Sequence, residues 1–286
     1  MAVACGKIGN WFGLALLVCL GSLALAQEAE KTASPPGKPA EPSDITVGQP
    51  PAKEIDHKLG VDLSASVVSK YIWRGFDILD DHAAFQPGTT VELFGTGFSF
   101  NIWGSWALDD RDELDNFDEL DYTPAYNYTF FADERYAVDF GVNYIYYNLY
   151  RTNRSDDTQE AGGSLALPNL IPLGPSNLVP KYYFGYLWPV QSEGNDDLDG
   201  GYHNLALTYE LPLKDDWSVG FLGDVAYNDG QFGVDHDWSH STLGVSLNIP
   251  VGPVQITPFV NYQFSFEDTV NPDDEVYGGV TATFSF

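Results

Sequence analysis

Beyond residue 60 the chain runs in alternating apolar and polar positions. In 97–108 one set of positions reads Phe98, Phe100, Ile102, Gly104, Trp106, Leu108, and the other reads Ser99, Asn101, Trp103, Ser105, Ala107. In 136–147, Val138, Phe140, Val142, Tyr144 and Tyr146 alternate with Asp139, Gly141 and Asn143. The same holds in 217–228 (Val219, Phe221, Gly223, Val225, Tyr227 against Ser218, Gly220, Asp224, Asn228) and in 254–266 (Val254, Ile256, Pro258, Val260, Tyr262, Phe264 against Gln255, Thr257, Asn261, Gln263). A repeat of two puts successive side chains on opposite faces of an extended strand. About twelve such segments are expected: 61–76, 84–94, 97–108, 119–130, 136–147, 158–167, 178–188, 201–213, 217–228, 238–249, 254–266 and 275–286. Segment 158–167 has the weakest pattern, because Ala161-Gly162-Gly163 gives neither face much side chain.

The connections alternate too. One set is short: Gly95-Thr96, Ala132-Asp133-Glu134, Pro212 to Asp216, and Pro250-Val251-Gly252-Pro253, with a longer Pro- and Gly-rich member at 168–177. The other set is longer and acidic: 77–83, 109–118, 148–157, 189–200, 229–237 and 267–274. Short turns at one end and long loops at the other are the habit of outer-membrane barrels. A soluble sandwich would show the same alternation of faces. Here, however, the polar faces are mostly small and uncharged, and the charges collect in the loops. A lumen must accept its side chains inside a ring, whereas a solvated sheet face favours long charged ones. Each segment is long enough to cross a bilayer when tilted, since ~9–11 residues suffice. The fold class expected is all-β, an antiparallel transmembrane β-barrel of about twelve strands over residues 59–286.

The termini agree with that reading. The last strand alternates Val280, Ala282, Phe284, Phe286 with Thr281, Thr283, Ser285 and stops on an aromatic residue. It resembles the closing strand of bacterial outer-membrane barrels, whose assembly machinery reads a final aromatic; Phe284 and Phe286 are the assembly-signal candidates. At the other end, Lys7, the apolar run from Trp11 to Leu25 and Ala24-Leu25-Ala26 before Gln27 read as a cleaved signal peptide over residues 1–26. Residues 27–58 hold six prolines and no aromatic residue, the composition of a disordered periplasmic tether. An even strand count would return both ends of the barrel to the periplasm.

Both cysteines, Cys5 and Cys19, fall in the signal segment, so no disulfide or thiolate metal site is expected of the mature chain. Loss of Lys7 leaves 12 Lys and Arg against 41 Asp and Glu, about −29. Nucleic acid binding needs a basic footprint and is excluded as a partner. The expected partners are outer-membrane lipid and lipopolysaccharide, the barrel-assembly machinery, and small solutes or ions.

The segment Ser69-Lys70-Tyr71-Ile72-Trp73-Arg74-Gly75 resembles the S-x-Y-x-[FW]-R-G opening of the TorF-type porins, a proteobacterial outer-membrane family. Ser69, Tyr71, Trp73, Arg74 and Gly75 fall on the pattern, while Lys70 stands where Asp is common and Asp77-Ile78 where Ser-Gln is common. The resemblance runs on through the strands, covers about four-fifths of the chain and omits the Pro-rich tether. It implies a porin-like barrel and no defined substrate.

Read physically, Tyr71 and Trp73 share the face of Val61, Leu63, Ala65 and Val67 and should meet lipid. Lys70 and Arg74 share the opposite face and should point inward, because a cation on the lipid face costs ~2–4 kcal/mol at the midplane. Glu92, Asp121, Asp139, Glu210 and Asp224 fall on the polar faces of other strands. With Lys70 and Arg74 they are the candidates for a charged constriction, or for salt bridges that plug the lumen.

Catalytic signals are weak. In Asp235-His236-Asp237-Trp238-Ser239-His240-Ser241, His240 and Ser241 should point to opposite faces. His236 and His240 would stand ~13 Å apart, too far to share a metal. The loop Asn195-Asp196-Asp197-Leu198-Asp199-Gly200 opens like an EF-hand but has Ala206 where Glu is needed. No catalytic residue, cofactor or metal site is expected. The function expected is a porin passing small solutes through a narrow, cation-favouring lumen in the outer membrane of a Gram-negative bacterium. The alternatives are a non-conducting structural or adhesive barrel and, more weakly, a lipid hydrolase.

Overall fold

The computed structural model describes residues 59–191 and 198–286. The expected signal peptide (1–26), the tether (27–58) and Asn195, Asp196 and Asp197 of the EF-hand-like loop lie outside the described residues. Among the described residues fifteen strands form: β1 (Gly60–Val68), β2 (Ile72–Trp73), β3 (Phe76–Asp77), β4 (Ala84–Glu92), β5 (Phe98–Ala107), β6 (Glu119–Phe130), β7 (Val138–Asn148), β8 (Thr158–Ala166), β9 (Ile171–Leu173), β10 (Ser176–Pro189), β11 (Gly200–Pro212), β12 (Ser218–Asp229), β13 (Asp237–Val251), β14 (Val254–Ser265) and β15 (Glu275–Ser285). Twelve of them, all but β2, β3 and β9, form a closed antiparallel ring. The seam pairs β1 with β15, from Asp62 opposite Ser285 to Val68 opposite Gly279. The expected barrel is therefore present, and strand bounds from 84 onward fall within a few residues of the pattern. The small strand β9 folds back on the start of β10 within the 168–177 connection.

The outward face is apolar: Leu63, Phe98, Ile102, Val142, Leu165, Leu205, Val260 and Val280 are all exposed. Large hydrophobic side chains left outside in this number mark a surface made for lipid. The inward face divides along the barrel axis. Toward the long loops it is buried, as at Gln86, Glu119, Glu160, Asn204, Gln263 and Tyr277. Toward the end that carries Gly60 and Phe286 it opens: Asn127 and Glu210 are exposed, and Ser64, Asn101, Lys181 and Thr208 are half-exposed. The interior is thus packed at one level and a polar vestibule at the other.

One expectation fails. The first strand does not run to residue 76; β1 leaves the wall at Val68. The next residues turn inward as the β2–β3 hairpin, which pairs with no wall strand. Tyr71 and Trp73 therefore face the barrel interior and not lipid; Tyr71 is buried and Trp73 half-buried.

Candidate functional site

The hairpin pairs Ile72 with Asp77 and Trp73 with Phe76, so Arg74 and Gly75 are its two turn residues. Both have positive φ, 52° and 97°. Such a two-residue turn matches the right-handed twist of a hairpin and normally takes Asn-Gly. Gly75 fits it without cost. Arg74 does not, and a non-glycine residue held there costs on the order of 1–3 kcal/mol. Its side chain explains why it is tolerated.

The Arg74 guanidinium is buried. It forms an ion pair with Glu160 of β8 at 2.5 Å and donates to Gln231 Oε1 at 2.9 Å. It also lies over the rings of Tyr202 (4.4 Å) and Trp73 (4.7 Å). The contact with Glu160 Oε2 is electrostatic and not a well-aligned hydrogen bond; Glu160 Oε1 accepts from the Tyr183 hydroxyl. Burial works against the Arg74 charge, but the Glu160 carboxylate outweighs it and raises its pKa. Trp73 packs edge-on against Tyr147 (5.6 Å) and Phe232 (5.7 Å). Tyr71 donates to Glu119 Oε2 at 2.8 Å, and burial followed by the Glu119 charge pushes its phenol pKa up. The Gly75 carbonyl accepts from Gln263 Nε2 at 2.8 Å. Where the chain leaves the wall, the Ser69 hydroxyl accepts from Gly278 N at 3.0 Å. All five motif residues, Ser69, Tyr71, Trp73, Arg74 and Gly75, thus hold the hairpin inside the barrel.

Two glycines make the space. A Cβ on Gly75 would lie 2.6 Å from His240 Nδ1 and 2.7 Å from Val270 Cγ1. A Cβ on Gly162 would lie 2.2 Å from the Tyr183 hydroxyl. The weak pattern of segment 158–167 is therefore the clearance that lets Tyr183 reach Glu160.

The other sequence candidates do not converge on one ring. Lys70 sits at the loop end between Glu275 (2.5 Å) and Asp81, which outweigh its burial and raise its pKa. Asp121 is buried beside Glu119 at the level of the hairpin. Asp224 lies midway down β12 and accepts from Thr242 N at 2.7 Å. Asp139 (accepting from Thr129 Oγ1 at 2.7 Å), Glu210 (with Ser218) and the exposed Glu92 lie toward the opposite mouth. Sequence reasoning missed Glu160, Glu119, Gln231 and Glu275. Glu160 and Glu275 stand on the polar alternation of their strands and were accessible by the same count that found Asp121; Gln231, in a loop, was not.

Two chemical possibilities can be placed. Asp77, Asp81 and Glu275 offer carboxylate oxygens within 4.8 Å of one another, but Lys70 already serves two of the three as their cation. Ser239 and His240 are both buried, with Ser239 Oγ 2.9 Å from His240 Nδ1. Simple alternation would separate adjacent residues, but a bulge pairs Ala226 with His240 and Tyr227 with Trp238, which leaves Ser239 as the extra residue. Among the described residues no carboxylate hydrogen-bonds His240, so the third group of a hydrolytic triad is missing. His236 pairs instead with Asp229 at 2.5 Å on the surface.

Residues 54–281 match a family described as "Bacterial protein of unknown function (Gcw_chp)". No curated protein is significantly similar in sequence. Among solved structures, the barrel is similar to the KdgM porin in complex with disordered oligogalacturonate (10% identity, TM-score 0.47, covering 79% of this chain and 99% of that one). It is also similar to the NanC porin (12% identity, TM-score 0.48, 78% and 98%). A third is the COG4313 outer membrane channel from Pseudomonas putida F1 (12% identity, TM-score 0.45, 85% and 100%).

Proposed function

The chain belongs to the Gcw_chp family of bacterial proteins of unknown function, and we propose that it is an outer-membrane porin whose lumen is gated from within by the β2–β3 hairpin. The observation that carries this reading is how the hairpin is held. Its contacts with the wall are an ion pair, single hydrogen bonds and ring edges, each reversible on its own. A buried ion pair is weak support for stability, and hydrophobic residues of similar volume often serve as well or better. A latch that must release is one reason to keep it. Beneath the hairpin lies the polar vestibule that a permanently filled barrel would not need.

The membership of the TorF-type porins suggested by Ser69–Gly75 is part of the same proposal, as are outer-membrane placement with the long loops outside, surrounding lipid and lipopolysaccharide, and insertion by the barrel-assembly machinery. Cations are favoured, because Glu92, Asp139, Glu210 and Asp224 stand on the strands below the hairpin against Lys181, with Arg135 and Lys214 confined to the short turns among the described residues. No enzymatic role is assigned; the buried Ser239–His240 pair lies beside Gly75 of the hairpin.

The test is conductance in planar bilayers. Wild type should pass current in brief openings, and replacement of residues 71–78 by a short Gly-Ser turn should give a steady, larger current that reverses toward cation selectivity in a salt gradient. A hairpin-less barrel that folds and still does not conduct would establish the non-conducting alternative. Anion selectivity would refute the charge argument.

A further inference from the structure

The charges around the hairpin do not balance. Arg74 pairs with Glu160, and Lys70 is shared between Glu275 and Asp81. Two further carboxylates stand at the same level without a cation: Glu119 and Asp121, two residues apart on the inner face of β6. They are 8% and 7% exposed, and their carboxyl groups touch. Glu119 Oε2 accepts from the Tyr71 hydroxyl at 2.8 Å, a neutral donor. Asp121 Oδ1 is buried and receives no hydrogen bond at all. Two carboxylates pressed together away from water repel each other, and a buried charge without a partner is among the costlier things a protein can hold.

We propose that Glu119 and Asp121 bind a hard cation inside the barrel, with Asp121 Oδ1 as the waiting ligand and the Tyr71 hydroxyl within reach of the same ion. The donors are all oxygen, which selects alkali or alkaline-earth ions over softer metals. Two formal negative charges favour a divalent ion, with Ca²⁺ the one that best tolerates an irregular ligand set completed by water. Asn127, further along the same inner face of β6, is exposed in the vestibule at the end that carries the termini. Tyr71 reaches Glu119 from the hairpin, so an occupied site also fixes the hairpin in place; that consequence rests on the gate reading, whereas the binding does not. The site differs in kind from the Asp77–Asp81–Glu275 group, where Lys70 already stands in the cation's place.

The experiment uses the full mature chain in detergent micelles, titrated with Tb³⁺ as a luminescent probe and then with competing Ca²⁺. Tyr71, and Trp103 with its ring 5.6 Å from that of Tyr71, are the antennae. One Ca²⁺-displaceable site is expected, weakened about tenfold or more by Asp121→Asn, since loss even of outer partners costs 10–100-fold. The same site should survive Asp112→Asn with Glu113→Gln in the exposed loop. Unchanged binding in Asp121→Asn, or loss of the site in the loop variant, overturns the proposal. Should Asp121→Asn lose the heat-modifiable mobility of a folded barrel, Glu119→Gln is read in the same way. An anomalous Tb³⁺ peak between the two carboxylates in wild-type crystals is the independent arm. A pair bridged by a shared proton instead gives no peak there, and that result also overturns the cation site.

Discussion

Arg74 at the tip of the inner hairpin and Glu160 on β8 meet at 2.5 Å with side-chain exposures of 8% and 0%. Neither partner can be removed without stranding the other. Breaking a buried pair from one side costs about 3–5 kcal/mol, much of it the penalty of the charge left behind. Arg74→Gln and Glu160→Gln should each lower the free energy of local opening at residues 71–78 by about that amount, and the double variant by clearly less than the sum. Hydrogen exchange of peptides covering the hairpin measures it. Strict additivity would mean that the two side chains are neighbours without being a latch.

Gly75 tests the same seat by volume instead of charge. Its φ of 97° and the 2.6 Å and 2.7 Å distances from an added Cβ to His240 and Val270 leave no room for a side chain. Gly75→Ala should unseat the hairpin, removing its exchange protection and raising conductance as the hairpin deletion does. Gly252→Ala is the control. It also has a positive φ, 61°, but its Cβ would meet nothing within 4 Å, so backbone strain of about 1 kcal/mol should be the whole effect, with conductance unchanged. Equal conductance in both variants would remove Gly75 from the gate.

The wall was legible in the sequence because lipid and lumen impose opposite demands on alternate residues, and that demand is written into the strands from Ala84 onward, most faintly in β8. The hairpin was not. Tyr71 and Trp73 continue the period of two begun at Val61, so an inward turn at Val68 leaves the pattern intact. Arg74-Gly75 is a weak turn signal beside Asn-Gly, and the reason an arginine stands there, Glu160, lies 86 positions along the chain. The Ser239–His240 contact was hidden for a related reason. A bulge changes which face a residue meets without changing composition, and no local signal separates Ser239 from its neighbours.

The loops should respond to alkali through His82. Its Nδ1 faces the Leu79 carbonyl and its Nε2 lies 2.8 Å from Asp110, joining the loop after β3 to the loop after β5. The backbone carbonyl first and the Asp110 carboxylate second raise its pKa to about 9. A pKa raised on folding stabilises the contact fully below the unfolded value near 6.5 and loses that contribution as pH climbs through about 9. The imidazole resonances of His82 should titrate near the upper value and move toward the ordinary range in Asp110→Asn. A midpoint near 6.5 in wild type would show that the two loops are not tied by this pair.

Asp118 ties the far end of the same loop after β5 to the loop after β7. Its buried carboxylate accepts from Arg111, from Arg151 Nε at 2.6 Å and from the Tyr150 hydroxyl at 3.1 Å. Burial opposes its charge, but these donors prevail and hold its pKa below the usual range. Stability from a depressed carboxyl is present above the unfolded value and lost as pH falls through the folded one, so the clasp should loosen in acid. Asp118→Asn should release both arginines at neutral pH, at about 1.5–3 kcal/mol per charged hydrogen bond lost. Trypsin should then cut after Arg111 and Arg151 in sites that wild type protects. Equal cutting of the two proteins would deny the clasp.

Phe286 closes the seam, and its contribution can be divided between stability and assembly. Its backbone exchanges two hydrogen bonds with Val61, at 2.9 and 3.0 Å. Its ring is 65% exposed and touches Phe284 at 5.3 Å. Deleting Phe286 therefore removes about 0.5–1.5 kcal/mol for each net hydrogen bond and little buried apolar area. The pairing from Asp62–Ser285 to Val68–Gly279 remains. The expected assembly-signal role of Phe284 and Phe286 makes a separate prediction. The deletion should thus lower the yield of assembled protein in the outer membrane severalfold, while the fraction that assembles melts within a few degrees of wild type. A full yield would end the assembly-signal reading of Phe284 and Phe286. A loss of yield matched by an equally large fall in melting temperature would transfer the effect to the seam itself.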